Sequence, residues 1–322
     1  MSGLEKNSAS ASLKRGVYCL ANDVVIEWFE AFIRSYQVQN AALPLKVIPF
    51  NGNIARLKSL QTRFRFEIMD EAHCRRFDAL AEQVMGNDRL AGAYRKFACF
   101  FGPYDEFLFL DSDIVVLTPL LRLFEVFERT DYHLVYFDYD LETAYAPALA
   151  ARMVADYGSP GINTGAFLAR KGSFREEDVW ALADAAAAVR DGLLPGVLEQ
   201  SFFNFVLDQR RCRMTGMEKL RPELAPKAWA RQPFHYGRRT RTATTPDGKI
   251  LPFIHWPGCG YPTMVRPEIF LEYRTLGMTL GERLNYQREF YYRRSKRKLR
   301  NFLQQFPPTV KLVKLRERLK KN

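Results

Sequence analysis

Apolar positions in this chain fall into short unbroken runs separated by stretches with helical spacing. Residues 16–21 form the first run and predict a buried strand, after which Asn22 and Asp23 are placed to cap the next helix. In that helix Val25, Trp28, Phe29, Phe32, Ile33 and Tyr36 share one face at three-and-four spacing. Residues 45–50 predict a second strand, closed by Asn51-Gly52-Asn53, and residues 64–69 a third. Helical patterns follow through Phe77, Leu80, Ala81 and Val84, and again over 94–101, where Gly102-Pro103 stops the segment. The run Phe107-Leu108-Phe109-Leu110 breaks at Asp111-Ser112-Asp113 and resumes over 114–117. Further strands are predicted at 134–137, 161–169 and 250–254, and further helices at 176–190 and 197–207. Strands alternating with helices predict an α/β fold, a mostly parallel sheet with helices on both faces.

Composition narrows the class. With 322 residues, 47% hydrophobic and 26% charged, the chain is globular and holds one large α/β domain or two ordinary ones. Its five cysteines are scattered with no CxxC pair, so buried reduced thiols are expected in place of a zinc site or a disulfide framework. Residues 283–322 carry fourteen Lys or Arg and two Glu, the entire net charge of +12, so the basic character belongs to a tail. Residues 1–13 are polar, rich in Ser and Ala, and expected to be flexible. The expected division is therefore 1–13, a main domain over 14–276 and a basic helical tail over 277–322, with Pro307-Pro308 breaking the tail before 310–321. Neither a signal-like apolar segment nor a run of eighteen apolar residues occurs, so a cytoplasmic protein is expected. The tail mixes Phe290, Tyr291, Tyr292, Phe302 and Leu312 to Leu319 with its charges, which favours attraction to an anionic membrane surface over a merely solvated helix. Packing is the other role open to the aromatic trio. With the rest of the chain formally neutral, no nucleic acid is expected as a partner.

The chemistry-bearing feature is Asp111-Ser112-Asp113, directly after the strongest buried-strand signal. Ligands of open α/β sheets bind beyond the carboxyl ends of strands. Carboxylates placed there unpaired cost several kcal/mol, and a hard divalent cation such as Mn²⁺ or Mg²⁺ relieves that cost while leaving positions for substrate phosphates. A helix cap in a solvated loop is the plain alternative. Asp138 and Asp140, after the next strand, form a second acidic pair, for which loop and cap roles are expected.

Five segments in order make the chain resemble the GT-A glycosyltransferases, and most nearly glycosyltransferase family 8 (glycogenin-like). They are Tyr94-Arg95-Lys96-Phe97; Phe109-Leu110-Asp111-Ser112-Asp113-Ile114-Val115-Val116; Gly161-Ile162-Asn163-Thr164-Gly165-Ala166-Phe167-Leu168; Glu199-Gln200-Ser201 with Asn204; and Ile254-His255-Trp256-Pro257-Gly258. The resemblance covers roughly 14–274 and implies a GT-A (Rossmann-like) domain. It implies a metal-dependent enzyme that moves a sugar from a nucleotide diphosphate, a UDP-sugar in particular, to a saccharide or glycolipid acceptor with retention, as in polysaccharide biosynthesis. Asp111, Asp113 and His255 would hold the metal. Asn163, Glu199 and Gln200 would border the donor sugar and the reaction centre. Ala21, Asn22 and Asp23 would bracket the base. Asp111 would also meet the ribose, beside Ser112, and Gly258 would line the diphosphate. Arg95 or Lys96 would offset phosphate charge or hold an acidic neighbour. Two departures matter: Tyr261 stands where the family has a diphosphate-binding lysine, with Arg266 five residues on as a substitute, and Glu199 stands where aspartate is usual.

Two other functions stay open. A catalytically silent GT-A-like binding module is kept alive by Tyr261. A sugar-nucleotide nucleotidyltransferase is disfavoured, because 18–23 lacks that class's Gly-rich, Arg-containing loop.

Overall fold

The computed structural model describes residues 13–89, 91–194, 196 and 199–304. Its strands are β1 (Arg15–Ala21), β2 (Leu45–Pro49), β3 (Glu67–Ile68), β4 (Glu106–Leu110), β5 (Ile114–Val116), β6 (Leu134–Tyr136), β7 (Ala166–Arg170), β8 (Met214–Gly216), β9 (His235–Gly237), β10 (Thr242–Thr244), β11 (Ile250–Leu251) and β12 (Phe253–His255). The chain divides into two compact units. The first takes the chain up to Asp23, Asn40–Asp111 and Pro119–Lys227; the second takes Val24–Gln39, Ser112–Thr118 and the chain from Ala228 on.

The first unit is built on a seven-stranded sheet in the order β3-β2-β1-β4-β7-β6-β8. Pairs β1/β2, β1/β4, β2/β3 and β6/β8 are parallel, and β4/β7 and β6/β7 antiparallel, so the expected mostly parallel sheet is present. The register fixes what shares an edge. Leu110, the last residue of β4, faces Ala166, the first of β7, and Tyr136, the last of β6, faces Phe167. The segments after β1, β4 and β6, and the segment leading into β7, therefore emerge at one end of the sheet. Every residue of β4 is buried, as its unbroken apolar run predicts.

Against the sheet lies an aromatic layer in which Phe97, Phe100, Phe107, Phe167 and Phe203 have no solvent exposure. Phe100 meets Phe107 edge-on at 5.0 Å between ring centroids, and Phe167 meets Phe203 at 5.1 Å. The helix expected over 94–101 is a 3₁₀ run, Ala91–Phe101, buried from Gly92 to Phe100. Such a length of 3₁₀ is uncommon. Gly92 lets the start of this run lie close against Phe50, because any Cβ at that position would collide with the carbonyl oxygen of Phe50.

Several expected elements change. The strand over 64–69 shrinks to Glu67–Ile68, and the strand over 161–169 begins only at Ala166. The apolar restart after Asp113 does not continue β4: Ile114–Val116 pairs antiparallel with Phe253–His255 in a separate two-stranded sheet of the second unit. Pro252 divides the strand over 250–254, leaving β11 with β10 and β9 and giving β12 to β5. Asp23 caps no helix of its own segment. Its carboxylate accepts the backbone N–H groups of Arg56 and Leu57, both at 2.9 Å, at the start of helix Ala55–Leu60. The helices over 176–190 and 197–207 run Glu176–Ala187 and Glu199–Gln209, with 197 and 198 outside the described residues.

The second unit gathers helices Ile26–Asn40, Pro267–Arg274 and Leu280–Gln304 around a buried ion network. Arg274 reaches Glu27 at 2.9 Å and Glu30 at 3.1 Å, and the Tyr286 hydroxyl donates to Glu27 at 2.7 Å. Trp28 packs on Trp256 and Phe270. The tail is thus part of a core as well as a charged surface. Phe290 is 1% exposed against Tyr261 and Phe270, whereas Tyr291 and Tyr292 are 46% and 62% exposed. Phe290 is therefore not available to a membrane. Positions 1–12, Pro307-Pro308 and 310–321, with Leu312 to Leu319, lie outside the described residues. All five cysteines are free, and four of them, Cys19, Cys74, Cys99 and Cys212, are buried. Among the described residues no helix is long and apolar enough to cross a membrane.

Gly161 illustrates how tightly the segment before β7 is made. Its φ is +65°, and a Cβ there would run into the backbone of Leu141. We expect Gly161→Ala to lower stability by about 1–3 kcal/mol. Urea unfolding followed by circular dichroism measures it.

Candidate functional site

In the first unit, one ammonium group organises the end of the sheet. Lys96 is buried, and its Nζ donates to Glu199 Oε1 at 2.7 Å, to the Thr164 carbonyl at 3.0 Å and to Thr164 Oγ1 at 3.2 Å. Asp111 Oδ1 stands 3.6 Å away, and the Phe109 ring lies 4.7 Å below the charge. Burial pushes the ammonium's pKa down, but Asp111 and Glu199 overcome that and hold it above its ordinary value. Lys96 is therefore a cation throughout the working pH range.

Helix Glu199–Gln209 supplies a face with period four. Gln200 Oε1 accepts from the Thr164 N–H at 3.2 Å, and its Nε2 donates to the Thr143 carbonyl at 2.8 Å and Thr143 Oγ1 at 3.1 Å. Asn204, fully buried, accepts from the Ile162 N–H at 2.8 Å and donates to the Ile162 carbonyl at 2.9 Å. These side chains take the place of a neighbouring strand for residues 162–164, where β7 has not yet begun. Asn163 donates its N–H to the Asp138 carbonyl at 3.0 Å, and its Oδ1 accepts from the Gly165 N–H at 2.9 Å. Its side-chain NH₂ has no partner among the described residues. Asp111 enters this cluster through its own N–H, bonded to the Gly165 carbonyl at 2.8 Å. Asn163, Glu199, Gln200, Lys96 and Asp111 are thus brought together in one unit.

Arg95 is not with them. It grips Asp78 through two bonds of 2.6 and 2.7 Å and the Pro49 carbonyl at 2.8 Å, with Glu71 3.8 Å off. Of the two roles expected for it, holding acidic neighbours describes what it does. Buried Ala21 accepts from the Phe50 N–H through its carbonyl, Asn22 bonds Asn51 at 3.2 Å, and Asp23 holds the helix start described above.

In the second unit, the β5/β12 ladder sets Ile114 opposite His255. The Trp256 N–H then donates to the Asp113 carbonyl at 3.1 Å, and His255 Nε2 lies 3.3 Å from Asp113 Oδ1. His255 is 4% exposed, and its backbone is pinned on both sides, N–H to Ala228 and C=O from Ala230, each at 2.8 Å. A spacing near 3 Å is what two ligands of one ion adopt at ordinary metal–oxygen and metal–nitrogen distances. Asp111 is tethered to this pair by a single intervening residue, the buried Ser112. An oxygen, oxygen and nitrogen donor set of this kind fits a divalent cation.

The departures noted in the sequence have plain structural readings. Tyr261 packs on Phe270 and Phe290, and its hydroxyl lies 3.3 Å from that of Tyr286. Arg266, at φ 49°, donates to the carbonyls of Phe234 and Gln232 at 3.3 Å and covers the Phe234 ring at 3.9 Å. Its donors are engaged by the backbone, which counts against its standing in for a diphosphate-binding lysine. Gly258 has φ +65° and open space where a Cβ would stand.

Thr164 and Asp138 carry more of the site than their sequence signals suggest. Thr164 meets Lys96, Glu199 and Gln200 at once, and its only signal is its place inside Asn163-Thr164-Gly165. Asp138, for which a loop or cap role was expected, is 5% exposed, with Lys227 Nζ 3.9 Å from its carboxylate. Asp140 does cap, accepting from the Glu142 N–H at 3.2 Å.

Among solved structures, the bifunctional glycosyltransferase WbbM in its apo form is similar to this chain at TM-score 0.55 and 16% identity, over 87% of this chain and 52% of its own. The galactosyltransferase LgtC, in complex with donor and acceptor sugar analogues, is similar at TM-score 0.52 and 16% identity, over 82% of this chain and 97% of its own. The chain has the GT-A fold. It spans about half the length of WbbM. No family model matches this GT-A chain, and no curated protein does.

Two measurements test the site's energetics. Lys96→Met leaves Glu199 and Asp111 without their cation and is expected to cost about 3–5 kcal/mol in denaturant unfolding. Asp208, one turn beyond Asn204, is the second. Burial pushes its carboxyl up to about 6, against the hydrogen bonds that Ser159 and Tyr145 offer it. The folded chain thus keeps a proton that the unfolded chain releases near pH 4. Stability from this group is present below that pH and is lost as pH rises toward 6. Asp208→Asn should flatten the stability profile between pH 4 and 7 relative to the wild-type chain.

Proposed function

We propose that this chain is a metal-dependent glycosyltransferase that moves a sugar from a nucleoside diphosphate, a UDP-sugar in particular, to a saccharide or glycolipid acceptor. The observation that carries this is the Asp113–His255 pair at 3.3 Å, with Asp111 two residues away. The bifunctional glycosyltransferase WbbM and the galactosyltransferase LgtC share the fold and support the reading. The motif series further supports a place beside glycosyltransferase family 8 and, with it, retention at the anomeric carbon.

A Mn²⁺ or Mg²⁺ ion held by Asp111, Asp113 and His255 would supply Lewis-acid stabilisation of the diphosphate leaving group. The chain's own residues do the rest. Lys96 fixes Glu199 and the Thr164 backbone in one geometry, so the polar wall does not reorganise as charge develops. Asn163, whose Oδ1 is held by Gly165, has an NH₂ group left to donate to a sugar hydroxyl. Gln200 is locked between Thr143 and Thr164 and keeps the segment 162–164 in place. Ala21, Asn22 and Asp23 lie at the carboxyl end of β1, where a nucleotide base binds in open α/β sheets. The exposed basic face over 283–304 suits a cytoplasmic enzyme working against an anionic membrane surface.

The test is donor hydrolysis with a panel of UDP-sugars, with and without Mn²⁺. Asp113→Ala is expected to lower turnover by about three orders of magnitude, the size of a lost metal contribution of several kcal/mol. Its stability should hold or rise, because Asp111 loses a like-charged neighbour. Unchanged turnover in the variant would remove the metal site. No hydrolysis by the wild-type chain with any donor, together with nucleotide-sugar binding in a thermal-shift assay, would favour the silent binding module that Tyr261 and Arg266 allow.

A further inference from the structure

Helix Leu280–Gln304 and the turn at Tyr261-Pro262 enclose a groove of about 670 Å³ in the second unit. Its floor is apolar, made by Pro262, Leu299 and Leu303 with the Tyr261 ring. Its rim is cationic: Arg293, Lys296, Arg297 and Arg300 recur at helical spacing, and no carboxylate lines the groove. Arg293 pairs with Glu289 at 2.7 Å, while Lys296, Arg297 and Arg300 carry no acidic partner among the described residues. The wall is stiff. Arg294 donates to the carbonyls of Pro262 and Met264, both at 2.7 Å, which ties the helix to the turn, and Phe290 anchors the helix one turn earlier.

We propose that this groove binds one anionic single-chain amphiphile, its alkyl chain against Leu299 and Leu303 and its phosphate among Lys296, Arg297 and Arg300. The occupant follows from complementarity. A solvated charged helix needs no apolar trough between its cations. A free anion would leave that trough wet, and a neutral alkyl chain would leave three cations uncompensated. A phosphate-headed lipid satisfies both surfaces. The proposal deepens the membrane reading given above by naming a ligand that enters the protein, and it is independent of the sugar-transfer chemistry.

The probes are octyl, decyl and dodecyl phosphate, each below its micelle concentration, with the full chain and calorimetric detection. One molecule should bind per chain, and affinity should rise about fourfold per added methylene until the groove is filled. Arg300→Gln should weaken binding about fivefold, and raising salt should act in the same direction. Leu303→Asp should abolish the chain-length dependence. The folding of each variant is checked by circular dichroism, and donor hydrolysis in solution should be unchanged in both, so failure here and failure of the transferase reading are separable. Equal competition by inorganic phosphate would overturn the proposal in favour of a plain anion site. Binding to vesicles containing phosphatidylglycerol, with none to the monomeric phosphates, would overturn it in favour of surface adsorption.

Discussion

The end of the sheet depends on the charge of Lys96. Two carboxylates, Asp111 and Glu199, and the backbone turn at Thr164 converge on a buried ammonium that water does not reach. At a buried ammonium a bond such as that to Glu199 is worth more than it would be at a surface, and its absence costs more. One cation thus joins two carboxylates and a backbone turn that are far apart in the chain. The same ammonium fixes Thr164, which fixes Gln200, which is held in turn by Thr143. The polar wall is therefore a linked set of bonds, to which Asn163 adds its contacts with Asp138 and Gly165.

Much of this was legible in the sequence where the signal was local. The run of four apolar residues before Asp111 gave a fully buried strand because nothing but burial explains such a run. Asn163, Glu199 and Gln200 were legible as a group through ordered motifs, and they lie around one turn, with Glu199 on the Lys96 ammonium and Gln200 on the Thr164 N–H. What escaped was non-local. Nothing near Ile114 indicates that it pairs with His255 rather than continuing β4, because the antiparallel ladder is made with residues far along the chain. Asp23 carries the signature of a helix cap, and it is one, but for a helix that begins at Ala55. Arg95 and Lys96 are adjacent and alike in charge, yet they project to different neighbours, Asp78 and Glu199. The basic tail hid a core residue, Phe290, because charge density masks a single buried aromatic.

The second unit also shows what Tyr261 does at the position where the resemblance to glycosyltransferase family 8 implies a lysine. It contributes a ring to the cluster of Phe270 and Phe290 and a hydroxyl beside Tyr286. The side chain serves packing within the unit. The guanidinium of Arg266 is likewise turned inward, bonding two backbone carbonyls.

The path of the chain carries a consequence for biogenesis. Helix Ile26–Asn40 leaves the ribosome early, but Trp256, Phe270 and Arg274, on which Trp28, Glu27 and Glu30 rest, are made only after residues 40–227. During that interval Trp28 lacks its native partners Trp256 and Phe270, and two glutamates await their arginine. A domain whose segments are made in order, each on the last, is the simpler case for folding during synthesis. Here the order of the segments delays completion of the second unit until residues 256–274 have been made.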